Sequence, residues 1–325
     1  MRRSNDIPAL VAGARDGDPR AVARLISLIE AGTESVEAQP RLREVAAALA
    51  PHTGNAQVLG LTGAPGVGKS TSTNELVRAL RAAGKRVGIL AVDPSSPFTG
   101  GAILGDRVRM QDHATDPGVY IRSMSSRGHL GGLAAATPQA VRVLDGAGCD
   151  VVLVETVGVG QAEVEVASLA DTVVVLLAPG MGDAIQAVKA GILEIADVFV
   201  VNKADRDGAD ATYSDIQGMI ALGERQAGEW RPQVVRTIAA RGEGVDDLLA
   251  AIEKHNTWLV EHDELRMRRE RRAAAEVEAI ALGTLRSRIG SLRDGTALPA
   301  LAARVACGSI DPYRAADELL AGLKQ

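Results

Sequence analysis

One short run of the chain has the residue types that bind phosphate groups. It fits the pattern G-x-x-x-x-G-K-[ST], and its members are Gly63, Ala64, Pro65, Gly66, Val67, Gly68, Lys69 and Ser70. In loops of this pattern the backbone N–H groups surround phosphate oxygens, the lysine reaches the β- and γ-phosphates, and the hydroxyl contacts Mg²⁺. The sequence therefore predicts a nucleoside triphosphate site, with Lys69 as a catalytic residue, Ser70 as a metal ligand and Thr71 as a further nucleotide contact.

The residues on either side of this loop agree with that prediction. Residues 57–62 form an apolar run typical of a buried strand, and residues 70–80 have the pattern of a helix. A strand, a glycine-rich loop and a helix N-terminus in this order direct N–H groups and the helix dipole at phosphate oxygens. The alternative, a glycine turn that binds nothing, does not account for the complete pattern.

A second motif is suited to recognise the base. Asn202, Lys203 and Asp205 form the pattern N-K-x-D directly after residues 198–201, an apolar run typical of a strand. The carboxylate of Asp205 can accept hydrogen bonds from both N1–H and the exocyclic amine of guanine, whereas adenine has no such pair of donors. We therefore expect GTP and GDP as ligands, with Lys203 along the base and Asn202 bracing the neighbouring loops.

A third segment is expected to complete the base site. Ile238, Ala239 and Ala240 begin the loop that follows the last predicted strand, at residues 234–235. Their backbone N–H groups are predicted to face guanine O6. Because Ile238 has an apolar side chain, we expect no side-chain contact at that position.

Three acidic residues are candidates for a magnesium site. Glu155 and Asp93 each follow an apolar run typical of a strand, and Asp106 lies further along the segment after Asp93. Carboxylates can hold Mg²⁺ directly or through water, and one of them can orient the attacking water. The sequence predicts all three as metal-site residues, and Asp93 and Glu155 also as catalytic residues. For Glu155, a purely structural pairing at a strand end stays an alternative.

A glycine-containing turn after the predicted strand 172–177 leads into a helical pattern with polar residues on nearly one face. These residues are Asp183, Gln186 and Lys189, at spacings of i, i+3 and i+6. From spacing alone, the segment is interpreted as a mobile loop followed by a capped helix.

Composition and charge narrow the function classes. Hydrophobic residues make up 46% and charged residues 24% of the 325 residues, as in ordinary globular proteins. The net charge of −5 argues against a nucleic-acid partner held by bulk charge. The N-terminal residues lack the apolar region of a secretory signal, and no apolar run approaches the length of a membrane span. We expect a cytoplasmic protein without nucleic-acid or membrane partners.

The alternation of patterns along the chain predicts three parts. Residues 1–55 have helical apolar spacing, residues 56–260 alternate short apolar strands with helices, and residues 261–325 return to a helical pattern. Strands that are apolar on both faces are typical of a mainly parallel sheet covered by helices on both sides. The predicted fold is an α/β P-loop NTPase domain with N-terminal and C-terminal helical extensions.

Five runs of sequence, taken together, closely resemble the MeaB-type GTPases. They are G-A-P-G-V-G-K-S-T, V-D-P-S-S-P-F-T-G-G-A-I-L-G-D-R, R-S-M-S-S-R-G, V-E-T-V-G-V-G-Q-A-E and P-G-M-G-D-A-I-Q-A-V-K-A-G-I-L-E-I-A-D. The resemblance runs from about residue 10 to the C-terminus and is densest between residues 56 and 245. These runs are longer and more specific to one family than a phosphate loop by itself.

The resemblance implies a GTP-hydrolysing chaperone of the adenosylcobalamin-dependent methylmalonyl-CoA mutase, which gates loading, protection and repair of the cofactor. It implies a homodimer whose C-terminal helices, in residues 261–325, form the dimerisation arm. It also implies that Asp93, Asp106 and Glu155 lie in or near the Mg²⁺ region. Finally, it suggests that Asp183, Gln186 and Lys189 belong to a switch that relays the nucleotide state to the mutase.

Four alternative functions can be compared with this expectation. A metal-delivery GTPase of related architecture would carry His- or Cys-rich loading segments, which this sequence lacks. A chaperone of a different acyl-CoA mutase would share every motif above. An ATP-dependent kinase of amino-acid transport is disfavoured by the guanine motif, and a signal-recognition-type GTPase by the lack of Met-rich helices.

Overall fold

The chain forms two compact units, residues 1–265 and residues 266–325. The computed structural model describes residues 6–34, 36–93, 113, 115–125, 136–156, 162–180, 193–223, 228–293 and 297–321. The predicted three-part division into residues 1–55, 56–260 and 261–325 stays a prediction.

The first unit is built on one sheet of parallel strands. The strands are β1 (Gln57–Gly63), β2 (Val87–Asp93), β3 (Val119–Ser125), β4 (Val151–Thr156), β5 (Thr172–Leu177), β6 (Val198–Asn202) and β7 (Gln233–Thr237). Their order is β3-β2-β4-β1-β5-β6-β7, and every neighbouring pair is parallel. The predicted parallel sheet is confirmed. The two edge strands, β3 and β7, extend beyond the apolar residues 119–121 and 234–235 from which they were predicted. Each pairs with only one neighbouring strand of the described sheet, and polar residues continue the strand beyond the apolar run.

Helices cover both faces of this sheet. They are α1 (Ile7–Arg15), α2 (Pro19–Glu34), α3 (Gln39–Leu49), α4 (Lys69–Ala82), α5 (Thr137–Gly146), α6 (Ala162–Leu169), α7 (Ala209–Leu222) and α8 (Val245–Glu261). Helices α4 and α8 pack in one hydrophobic cluster with Leu59, Leu61 and Leu153 of the central strands. The alternate strand residues, such as Val58 and Val152, pack in a second cluster with α1–α3 and α5–α7. Because successive strand residues point to opposite faces, the two clusters lie on opposite sides of the sheet.

The N-terminal helices share the core of the sheet. Leu25, Ile26 and Ile29 of α2 are at most 1% exposed and belong to the same cluster as Val154 of β4. Arg122 of β3 also forms an ion pair with Glu30 of α2. The apolar spacing in the first helices is therefore explained by packing against α5 and the rest of this cluster as well as against one another.

The second unit is helical. It contains α9 (Glu264–Arg293), most of which lies in this unit, together with α10 (Ala297–Ala306) and α11 (Pro312–Ala321). Helices α10 and α11 are joined by an ion pair between Arg304 and Glu318, at 2.6 Å. Among the helices that the structure describes, none is both long enough and apolar enough to cross a membrane.

Candidate nucleotide-binding site

The phosphate loop connects the end of β1 to the start of α4. Gly63 has φ +147°, and a Cβ atom at this position would overlap the carbonyl oxygen of Leu176 on β5. Gly68, directly before α4, has φ +98°, and a Cβ there would overlap the side-chain amide of Asn202. Both glycines are therefore required by backbone conformation and by close approach of a neighbour. The tight turn leaves the first N–H groups of α4 directed at the loop.

The ammonium group of Lys69 lies in the mouth of the loop. Its Nζ donates to the carbonyl oxygens of Gly63, at 2.6 Å, and Ala64, at 3.2 Å, and the residue is 9% exposed. A lysine charge held here, beside the N-terminus of α4, gives the loop a concentrated positive potential. The position fits the predicted role of Lys69 toward the terminal phosphates, which stays a prediction.

Glu155 joins the end of β4 to the start of α4. Its Oε1 accepts a hydrogen bond from Ser70 Oγ, at 2.9 Å, and its Oε2 lies 2.9 Å from Thr73 Oγ1. Glu155 is 6% exposed and Thr73 is fully buried. The hydrogen of Ser70 is directed at the carboxylate, so its oxygen lone pairs face away from Glu155. This pair of hard oxygen donors has the chemistry that Mg²⁺ prefers, so the residues present fit a magnesium site.

Asn202 connects the phosphate loop to the base loops. Its side-chain nitrogen donates to the carbonyl oxygen of Val67, at 2.8 Å. Its side-chain oxygen accepts from the backbone N–H of Ala239, at 3.0 Å, and from Thr237 Oγ1, at 3.1 Å. These contacts link neighbouring loops, and the role of Asn202 toward a nucleotide stays a prediction.

Lys203 contacts the phosphate loop, and Asp205 contacts Arg241 of the 3₁₀ turn after β7. Lys203 has φ +58°, and its Nζ donates to the carbonyl oxygen of Gly66, at 2.6 Å. Asp205 has a side chain that is 38% exposed, and its Oδ2 lies 3.6 Å from a guanidinium nitrogen of Arg241. The carboxylate is therefore accessible from outside the protein, and its contact with a base stays a prediction.

The third predicted base segment forms a short 3₁₀ turn, Ala239–Arg241. The N–H of Ile238 donates to the carbonyl oxygen of Glu243, at 3.0 Å, and the N–H of Ala239 donates to Asn202. Two of the three predicted backbone donors are thus engaged within the protein. Ala240 stays the candidate donor to guanine O6.

Several predicted residues are described only in part or not at all. Asp93 ends β2, in the strand adjacent to β4, but its side chain is not among the described ones. Asp106, Asp183, Gln186 and Lys189 lie outside the described residues. Their assignments stay predictions.

Two residues at the site had not been assigned a role from the sequence. Thr73 contacts Glu155 from one turn beyond Ser70 on α4, and Arg241 contacts Asp205. The first could have been found from helical spacing, because residues three apart share a face of the helix. The second depends on the conformation of the 3₁₀ turn and has no signal in a sequence pattern.

The motifs at the carboxyl ends of β1, β4 and β6 meet at one edge of the sheet. A parallel sheet with these motifs at that edge is the structure of a P-loop GTPase. The model of the family described as "Methylmalonyl Co-A mutase-associated GTPase MeaB" matches residues 22–293. The chain belongs to this MeaB family.

Individual relatives agree with the family match. A relative from Pyrococcus abyssi (strain GE5 / Orsay), which carries a GTPase designation, is 47% identical over 318 residues, 97% of this chain and 96% of the relative. The mitochondrial methylmalonic aciduria type A homolog of Mus musculus is 35% identical over 272 residues, 82% of this chain and 65% of the mouse protein. A crystal structure described as an LAO/AO transport system kinase superposes with a TM-score of 0.71 over 100% of both chains, at 24% identity, which shows the shared fold.

Proposed function

We propose that this GTPase is a chaperone of an adenosylcobalamin-dependent methylmalonyl-CoA mutase. In this proposal, GTP binding and hydrolysis gate the loading, protection and repair of the mutase's cofactor. The observation that carries it is the match to a mutase-associated family over residues 22–293, which include the whole nucleotide site. The similarity to the mouse methylmalonic aciduria type A homolog supports the same client.

The GTPase cycle is proposed to use Mg²⁺. Ser70 would hold the ion through its hydroxyl oxygen, and Glu155 would hold it directly or through water. In the structure Glu155 Oε1 accepts the hydrogen bond of Ser70, at an Oγ–Oε1 distance of 2.9 Å. Asp93 and Asp106 are proposed as further groups of the metal site. A bound Mg²⁺ would neutralise charge on the phosphate oxygens, as it does in phosphoryl transfer generally.

The other site residues would orient the nucleotide. Lys69 would place a buried positive charge at the terminal phosphates, and Asp205 would accept from the guanine edge. Asn202 keeps the two halves of the site at a fixed separation through its bonds to Val67 and Ala239. Asp183, Gln186 and Lys189 are proposed to carry the nucleotide state to the client.

Two copies of the chain are proposed to pair through residues 261–325. Exposed apolar side chains on α9 support this proposal: Val277 is 67% exposed, Ile280 55% and Leu285 49%. Apolar side chains on an otherwise charged helix are typical of a surface that another helix covers. Light scattering on the full chain, compared with a Val277→Lys/Ile280→Lys variant, would test the pairing; a monomeric parent protein would contradict it.

The experiment that tests the function is GTP hydrolysis with and without the mutase, with ATP run in parallel. We expect turnover specific for GTP that rises when the mutase is added. GTP turnover that is indifferent to this mutase but rises with another acyl-CoA mutase would replace the client and keep the chaperone class. Turnover indifferent to every mutase tested would contradict the chaperone proposal while leaving the GTPase intact.

A further inference from the structure

The carboxylate of Glu155 is held by two hydroxyl groups on the same face of one helix. Ser70 Oγ contacts Oε1 and Thr73 Oγ1 contacts Oε2, both at 2.9 Å. Residues three apart on α4 lie side by side, so the helix presents both hydroxyls to the end of β4. We propose that Thr73 is a positioning residue of the magnesium site: by holding Oε2 it keeps Oε1 on Ser70.

The hydroxyl group of Thr73 lies within hydrogen-bond distance of two acceptors. Its Oγ1 lies 2.9 Å from Glu155 Oε2 and 3.0 Å from the carbonyl oxygen of Lys69. The Lys69 carbonyl is four residues earlier in the same helix and accepts the helix's own backbone bond. Because a hydrogen bond to a carboxylate is the stronger of the two, the hydroxyl donates to Glu155.

The length of a glutamate explains why a second anchor is needed. Its side chain has one more rotatable bond than that of an aspartate. A single hydrogen bond to one carboxylate oxygen therefore leaves the carboxylate group able to rotate. Glu155 lies between Leu61 of β1 and Ala91 of β2 in the sheet, which holds its backbone. Thr73, fully buried, then holds the far end. With both oxygens occupied, the acceptor that orients the Ser70 hydroxyl is in place before a metal ion binds.

This inference rests on the proposed use of Mg²⁺ and deepens it. Groups that orient a metal ligand without contacting the metal typically change metal affinity by about 10- to 100-fold when removed. The effect of Thr73 should therefore appear in the concentration of Mg²⁺ that the protein needs. It should not appear in nucleotide binding measured without metal.

The test compares Thr73→Val, which keeps the shape and removes the hydroxyl, with Thr73→Ser, which keeps the hydroxyl. Ser72→Ala is the matched control, since Ser72 is the adjacent buried residue of α4 and its hydroxyl has no hydrogen-bond partner in the described part of the chain. Binding of a fluorescent GDP analogue is measured at stepped free Mg²⁺ and in EDTA, which needs no hydrolysis. Thermal melting of each variant shows that it is folded.

We expect Thr73→Val to raise the half-saturating Mg²⁺ concentration by about 10-fold and to leave affinity in EDTA within about 2-fold of the parent. Thr73→Ser and Ser72→Ala should both stay close to the parent. An unchanged Mg²⁺ requirement in Thr73→Val would overturn the inference. An equal loss of affinity with and without Mg²⁺ would also overturn it, because that result indicates a purely structural role.

A double-mutant cycle with Glu155→Asp separates this inference from the magnesium proposal. An aspartate side chain is one methylene shorter, so we expect it not to contact both hydroxyls. Adding Thr73→Val to Glu155→Asp should then change the Mg²⁺ requirement by less than about 2-fold. Full additivity of the two changes would contradict a shared role. If the parent protein itself bound GDP with no dependence on Mg²⁺, the proposed use of magnesium would fail, and that failure is visible before any variant is made.

Discussion

The side chain of Asn202 lies between the phosphate loop and the base loops and is bonded to both. It donates to Val67 at 2.8 Å and accepts from the N–H of Ala239 at 3.0 Å, while it is only 3% exposed. A buried amide with its donor and acceptor both satisfied fixes the separation of the two loops. We therefore expect the distance between the predicted phosphate and base ends of the site to be set before a nucleotide binds.

Replacing Asn202 with Ala should weaken both stability and nucleotide binding. The change leaves the Val67 carbonyl and the Ala239 N–H without this partner, and a loss of about 3 kcal/mol in the free energy of unfolding is expected. GDP affinity should fall by about 10-fold or more because the loops are no longer held together. Urea unfolding and GDP titration measure the two effects. Asn55→Ala, at an exposed position, is the control, and equal behaviour of the two variants would contradict the bracing role.

Replacing Lys69 with Ala should reduce GTP hydrolysis by about 100-fold or more, because a preorganised charge at the phosphates is removed. Single-turnover hydrolysis at saturating GTP is the measurement. Lys85→Ala, an exposed lysine outside the site, should leave the rate unchanged. Near-parent turnover in Lys69→Ala would remove this lysine from the catalytic site.

Replacing Asp205 with Asn should change the preferred base. The amide loses one acceptor for the guanine edge and gains a donor for the C2 oxygen of xanthine, so the ratio of GTP to xanthosine triphosphate affinity should fall by about 100-fold or more. Competition binding with the two nucleotides measures this ratio. Asp207→Asn, two residues further on and exposed, is the matched control. If both variants keep the parent's ratio, Asp205 does not read the base.

Replacing Gly63 with Ala should destabilise the fold as well as the site. The substitution combines an unfavourable φ of +147° with overlap between Cβ and the carbonyl oxygen of Leu176, and we expect a loss of about 3 kcal/mol. Gly84→Ala separates the two causes, because Gly84 has φ +77° and nothing within 4 Å of its Cβ position. There the loss should be about 1 kcal/mol. Equal losses from denaturant unfolding would contradict the close approach of β1 and β5.

The ion pair of Arg81 and Asp116 should make the free energy of unfolding depend on pH in the acid range. The Arg81 guanidinium donates to both oxygens of Asp116, at 2.9 and 3.0 Å, and this hydrogen bonding, with the N–H of Gly118, lowers the pKa of the carboxyl below its usual range. A lowered folded-state pKa adds stability that is complete above the unfolded-state pKa of about 3.9 and is lost as the pH falls through the folded-state value. The difference in the free energy of unfolding between the parent and Asp116→Asn should be constant from about pH 6 to 8 and shrink below about pH 4. A difference that does not change with pH would contradict the pairing.

Much of the fold was predictable because it depends on local patterns. The strands at residues 151–154, 172–177 and 198–201 are apolar on both faces. A run of that kind is typical of a parallel strand covered by helices on both sides. The edge strands were predicted too short, since Arg122, Ser123 and Arg236 interrupt the apolar pattern while the ladder to a single neighbour continues. Packing of the first helices against α5 was not predicted either, because an amphipathic helix does not specify which surface it covers.

The nature of the ligand came from the sequence alone, because a phosphate loop and an N-K-x-D motif are short stretches whose chemistry is carried by neighbouring residues. The tertiary structure decided how those stretches act on each other. Helical spacing places Thr73 on the same face as Ser70, but it does not show what that face contacts. Thr73 and Glu155 are 82 positions apart, and Asn202 and Val67 are 135 apart, so no spacing rule pairs either residue with its partner. Their contacts exist because parallel strands bring their carboxyl ends to one edge of the sheet. The packing of side chains at that edge, which no motif specifies, determines which residues outside the motifs contact the predicted site residues.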